Sequence, residues 1–199
     1  MNRKFLAAIA PVLACTALAV APALAQAEPH WYKGKVLLGS TPMTVTTSGN
    51  LTINALGATI KCKVNDAEEV WNPSGGPGVD LMAAFTLTNC KNKVATAACP
   101  KGAIAVTAEG FSWPSRLFTE APTTIRDEIN KVRLNVGCAG TSGTVGDVFE
   151  GTLTPEVGKG KLAFGGAGGG TLVDAGLNPL TVSGNDKFAS PKGILAKDP

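Results

Sequence analysis

The sequence predicts an all-β fold: a single-domain antiparallel β-sandwich or jelly roll of about ten short strands, held by two disulfides. Three observations lead there. Nearly every readable apolar segment alternates with a period of two, glycine and proline clusters punctuate the chain at short intervals, and no window carries a convincing amphipathic helix. The chain has 199 residues, 24 of them Gly and 13 Pro, and its apolar content of 44% argues against disorder.

Residues 1–25 read as a secretory signal peptide. Arg3 and Lys4 supply the positive start, the run from Phe5 to Leu24 carries no charge, and cleavage is expected after Ala25 or Ala27. Pro11 and Pro22 interrupt the run and no stop-transfer cluster follows, which favours cleavage over a membrane helix. Val12-Leu13-Ala14-Cys15 loosely suits a lipobox, and lipid anchoring at Cys15 is the alternative. However, the apolar run continues for nine residues beyond that cysteine. Removing Arg3 and Lys4 leaves 16 basic residues against 15 acidic ones, a mature charge of 16 minus 15, or +1. Such a balance gives no basic stripe for nucleic acid. The secreted all-β domain is then 26–199, with no membrane span after cleavage.

Along that domain, Met43–Thr47 is threonine-rich and β-branched. Ser48-Gly49-Asn50 reads as a turn before Leu51–Ala55, and Ile60–Val64 follows Gly57. Leu81–Thr88 holds Phe85 and Leu87 in phase, and Ile104, Val106 and Ala108 alternate. Phe149 and Leu153, Leu162 and Phe164, Leu172, and Leu180 with Val182 mark the later strands. Gly75-Gly76-Pro77-Gly78 and Ser183-Gly184-Asn185-Asp186 read as turns. The segment Ile125–Leu134 has helical spacing at Ile125, Ile129 and Val132. Because Val132, Leu134 and Val136 also alternate, it is assigned as strand with a turn near Asn130.

Four cysteines remain in the mature chain, an even number that favours disulfides in an oxidising compartment. Cys62 and Cys138 share the apolar phase of their segments, whereas Cys90 and Cys99 flank a polar loop. The expected pairs are therefore Cys62–Cys138 and Cys90–Cys99, contributing roughly 4.5 and 3 kcal/mol in the chain-entropy picture. The cysteine spacings contain no C-x2-C knuckle, so no metal and no cofactor are expected.

Ile60-Lys61-Cys62, the segment Phe85–Cys90, Cys99-Pro100, Gly102-Ala103-Ile104 and Val136-Gly137-Cys138 together carry a family likeness. Over about residues 30–155 the chain resembles a loose group of exported β-rich proteins of high-GC Gram-positive bacteria. That resemblance implies export and a β fold, and no particular reaction.

The residues offer little for catalysis. His30, the single histidine, sits near the expected mature terminus, and no G-x-S-x-G elbow is present. The glycine-rich stretch 165–170 lacks the βαβ context of a phosphate site. Asp66, Glu68, Glu69 and Asp80 flank the loop that starts at Trp71, and paired carboxylates near aromatics are the ingredients of a glycan hydrolase. Trp31, Trp71 and Trp113 each adjoin a turn, where tryptophans stack on sugars, anchor partners or cap the core. Trp71, Asp80 and Trp113 are the candidate ligand contacts, with no catalytic residue assigned. The resulting expectation is a secreted, non-catalytic structural or binding protein whose partner is a cell-surface glycan or a protein. The alternative is a carboxylate-dependent glycan hydrolase of the cell surface.

Overall fold

A computed structural model of the chain describes residues 28–55, 57–92, 104–120, 123–138, 146–165 and 169–199. The expected signal segment 1–25, with Cys15, Ala25 and Ala27, lies outside the described residues, as does Cys99. All elements of the described residues are strands. In chain order they are β1 (His30–Lys33), β2 (Val36–Leu37), β3 (Met43–Ala55), β4 (Ala58–Trp71), β5 (Val79–Asn92), β6 (Ile104–Ala108) and β7 (Trp113–Glu120). The chain continues through β8 (Thr124–Cys138), β9 (Asp147–Leu153), β10 (Glu156–Gly158), β11 (Lys161–Phe164), β12 (Thr171–Val173), β13 (Pro179–Ser190) and β14 (Ile194–Lys197).

The fold is all-β and antiparallel as expected, but it is a closed barrel and not a sandwich. The order β3-β4-β5-β7-β8-β9-β12-β13 returns to β3 through the β3–β13 pairing, closing eight strands on themselves. Strands β10 and β11 bridge β8 to β13 as a flap, and β6 adds to β8. Period-two alternation is the same in a sandwich and a barrel, because both bury one face of each strand. Only the pairing of the first long strand with the penultimate one separates them. Several strands are also longer than expected. β3 runs straight through Ser48-Gly49-Asn50, and β13 runs through Ser183-Gly184-Asn185-Asp186. These glycines serve close strand approach instead of turns: a Cβ on Gly49 would stand 1.9 Å from the Asn185 carbonyl oxygen. The segment Ile125–Leu134 is strand throughout, bent by a bulge at Lys131, where φ is 60° and the register with β9 shifts.

The expected disulfide pairing is overturned. Cys62 bonds Cys90, with Cα atoms 4.1 Å apart, so neither Cys62–Cys138 nor Cys90–Cys99 forms. Cys62 lies on β4, whose neighbours are β3 and β5, and a register shift at Lys61/Lys63 turns Cys90 of β5 towards it. Cys138 stands opposite Ile104 on β6, away from that seam, and is itself disulfide-bonded.

Inside the barrel, one end is apolar. Leu51, Ile53, Ile60, Val64, Leu134, Val136, Phe149, Leu172 and Leu180 are buried there. The sheet β14-β1-β2 contributes a plug built on Trp31, which is fully buried and meets Phe188 edge-on at 5.9 Å. His30, near the expected mature terminus, is held in β1 opposite Lys197. Asn72 fastens the plug. Its Oδ1 accepts from the Trp31 N–H at 2.8 Å, and its Nδ2 donates to the carbonyls of Trp31 and Leu38, both at 2.9 Å. Gly78 makes room for it, because a Cβ there would stand 2.8 Å from both Trp31 and Leu117 side-chain carbons. Asn72→Ala should orphan these buried backbone groups and cost about 3 kcal/mol in urea unfolding, with a red-shifted tryptophan emission. Unchanged stability and emission would mean that the plug is held by its apolar contacts alone.

Candidate functional site

Between the apolar end and the plug lies a layer of acids. The phase that buries Ile60, Cys62 and Val64 on β4 continues through Asp66 and Glu68 to Val70. In the same way Asp80 precedes Met82 on β5, Asp127 precedes Ile129 on β8, and Asp186 precedes Phe188 on β13. Alternation therefore carries five carboxyl groups into the interior, and all five are at most 5% exposed. Thr47 of β3 and Ser115 of β7 share that layer. The Thr47 hydroxyl donates to Asp66 at 2.5 Å, and the Ser115 hydroxyl donates to Asp127 at 2.5 Å.

The acids pair with one another. Asp66 faces Asp186, Glu68 faces Asp80, and Asp80 faces Asp127, near enough for each carboxyl to shift its neighbour's ionisation. A carboxyl can donate to a second carboxyl only when it keeps its proton. Among the described residues, no hydroxyl, amide or cation reaches either oxygen of Glu68 or Asp80. The guanidinium buried among the described residues, that of Arg126, is turned to Glu120 and the Thr154 carbonyl. Burial away from water is the main reason that all five acids hold their protons tightly. It pushes Glu68, Asp80 and Asp127 well above the usual carboxyl range, and the neighbouring carboxylates push them further. Burial likewise raises Asp66, opposed by its hydrogen bonds from Asp186 and Thr47. Asp186 is pushed up to about 8 by burial and by the charge of Asp66.

This arrangement is a proton-sharing ladder. Among the described residues, no group of three acids, cysteines or histidines converges to hold a metal ion. Nor is the ladder open. The cavities lined by Ser48 and Lys187, by Lys131 and Glu150, by Pro77 and Arg116, and by Lys61 and Lys91 include none of the five acids.

Of the expected ligand contacts, Asp80 and Trp113 both turn inward on the adjacent strands β5 and β7, and Trp71 takes the other phase. Asp80 belongs to the ladder, opposite Val70 of β4 and Ser115 of β7. Trp113 is 1% exposed, stacks on Phe111 and donates its indole N–H to the Glu109 carbonyl at 2.9 Å. Trp71 is half-buried at the end of β4, on the alternate phase from Val70. Of the acids flanking the Trp71 loop, Asp66, Glu68 and Asp80 turn inward while Glu69 takes the outer phase. Asp127 and Asp186 were missed by sequence reasoning. Their signal is their position in the buried phase of β8 and β13.

No family model matches the chain, and neither a curated protein nor a solved structure matches it.

Proposed function

We propose that the chain is an exported, non-catalytic module that acts outside the cell as a structural or binding protein. The observation that carries this reading is the closure of the acid ladder. A glycosidase pair must straddle a sugar in a cleft, one member acting as acid and the other as base or nucleophile. Here the strongest candidates, Glu68 and Asp80, face each other behind the barrel wall and are at most 2% exposed. The signal-like segment 1–25 and the Cys62–Cys90 disulfide support an oxidising, extracellular setting. The outer phase of β3 and β4 favours an aqueous setting over a bilayer. It reads Thr44, Thr46, Ser48, Asn50 and Thr52 on β3 and Thr59, Lys61, Lys63 and Asn65 on β4, which makes no apolar band.

The test is incubation of the exported protein with soluble glycans, followed by measurement of reducing ends, with Glu68→Gln and Asp80→Asn variants in parallel. No release above buffer is expected from any of them. Release by the parent chain that either variant abolishes would establish the hydrolase reading instead.

A further inference from the structure

The outer face of the barrel carries a feature that the interior does not explain. Lys61 and Lys91 stand directly opposite each other in the β4–β5 register. Lys63 follows two residues along β4, about 7 Å away and on the same face. Like charges directly opposite on a sheet repel, and among the described residues no acidic side chain pairs with them. The ion pairs of the described residues join Arg116 to Glu128, Arg126 to Glu120, and Arg133 to Glu109 and Glu150, and none takes a lysine. The rows across the sheet continue the pattern. Lys63 lies beside Asn50 of β3, which lies beside Asn185 of β13, while Asn65 lies beside Ser48, which lies beside Lys187.

Two surface depressions run over these rows. One, of about 600 Å³, is lined by Ser48, Asn50, Lys63, Asn65, Asn185 and Lys187. The other, of about 550 Å³, is lined by Asn50, Thr52, Lys61, Lys63, Asn89 and Lys91. They share Asn50 and Lys63 and so form one trough, and no acidic residue lines either. Charge is segregated across the molecule as well. With Arg3 and Lys4 removed, and the five ladder acids and Arg126 placed inside, 15 basic residues face 10 acidic ones, an excess of 15 minus 10, or five.

We propose that this trough on β3, β4, β5 and β13 binds an acidic polysaccharide, one whose sugars carry uronate carboxylates. The inference rests on the reading of the chain as an extracellular, non-catalytic module and names its ligand class. The chemistry selects that class in three steps. Four exposed lysines without acidic partners call for an anion, and a trough crossing four strands suits an extended polymer. Between the lysines stand amides and hydroxyls, Asn50, Asn65, Asn185, Ser48 and Thr52, which exchange hydrogen bonds with sugar hydroxyls. Nucleic acid fits less well. The trough has no aromatic on which a base would stack.

Binding of polygalacturonate to the exported protein should be measured at about 50 mM salt, where surface charges are weakly screened. Neutral dextran and a DNA oligonucleotide serve as comparisons. Lys61→Gln/Lys63→Gln/Lys91→Gln removes three charges from the trough. Lys33→Gln/Lys35→Gln/Lys192→Gln removes three exposed charges that do not line it. Both triples are first checked for an unfolding midpoint no lower than that of the parent. The expected result is binding to polygalacturonate and none to dextran, weakened by about tenfold or more in the trough triple and by about twofold or less in the other. Absence of polygalacturonate binding, equal weakening by both triples, or tighter binding of the oligonucleotide would overturn the proposal. Any of these without release of reducing ends leaves the non-catalytic reading intact, whereas release of reducing ends overturns that reading.

Discussion

The urea-unfolding midpoint of this protein should fall steadily as the pH is raised from 5 to 9. The cause is the acid ladder. Asp186 keeps its proton up to about 8 in the folded state, against an ordinary value of 3.8. Below the ordinary value the carboxyl is protonated whether the chain is folded or not, and its contribution to stability is fully present. Between the two values the folded chain holds a proton that the unfolded chain releases. Raising the pH therefore favours unfolding by about 1.4 kcal/mol per pH unit for each such proton. Over the window from 3.8 to about 8, Asp186 alone accounts for a loss of about 6 kcal/mol. Glu68, Asp80 and Asp127 are also raised, so their contributions have the same sign and are lost towards alkaline pH. Asp186→Asn keeps the shape and removes the ionisation. The variant should match the parent within about 1 kcal/mol near pH 4.5 and exceed it at pH 8.5, with a shallower dependence between. A midpoint that is flat or rises with pH would show that the ladder is charged, or reached by water, in the folded protein.

The ladder also marks how far the sequence could be read. The phase of Ile60, Cys62 and Val64 is plain in the sequence, and extending it two steps places Asp66 and Glu68 inside. Composition argues against that step, since isolated acids are rarely buried. Their burial becomes intelligible once Asp186 and Asp80 arrive from other strands to share protons, and periodicity on one strand carries no record of its neighbours. The disulfide failed for the same reason. The inward phase of Cys62 was legible. That β5 lies beside β4, and that a bulge swings Cys90 under it, was not. Strand identity itself was largely legible, because alternation is local, but the turn expected near Asn130 is a bulge within the single strand β8. The all-β class followed from it, and the barrel did not.

Barrel closure has one position on which it turns, and Gly49→Ala should cost about 3 kcal/mol or more, enough to reduce the yield of folded protein. Gly49 faces Asp186 in the β3–β13 register. An added Cβ would stand 1.9 Å from the Asn185 carbonyl oxygen and 2.8 Å from the Asp186 Cα. Both are backbone atoms of the strand that closes the barrel, so no rotamer change relieves the clash, and the seam itself must open. Gly184 confirms the closeness from the other side: at φ 131° its Cβ would stand 2.3 Å from the Asn50 carbonyl oxygen. The same bare position serves the ladder. Asp186 on β13 and Asp66 on β4 are separated by β3, and Gly49 puts no side chain between them on the inner face. Opening the seam would therefore also part the pair that shares a proton, and Gly49→Ala should flatten the alkaline loss of stability as well as lower the midpoint. Gly39→Ala is the matched control, because nothing lies within 4 Å of its added Cβ, and it should stay within about 0.5 kcal/mol of the parent. If Gly49→Ala unfolds at the same urea concentration as Gly39→Ala, β3 and β13 do not meet at this register, and the eight strands are not closed as described.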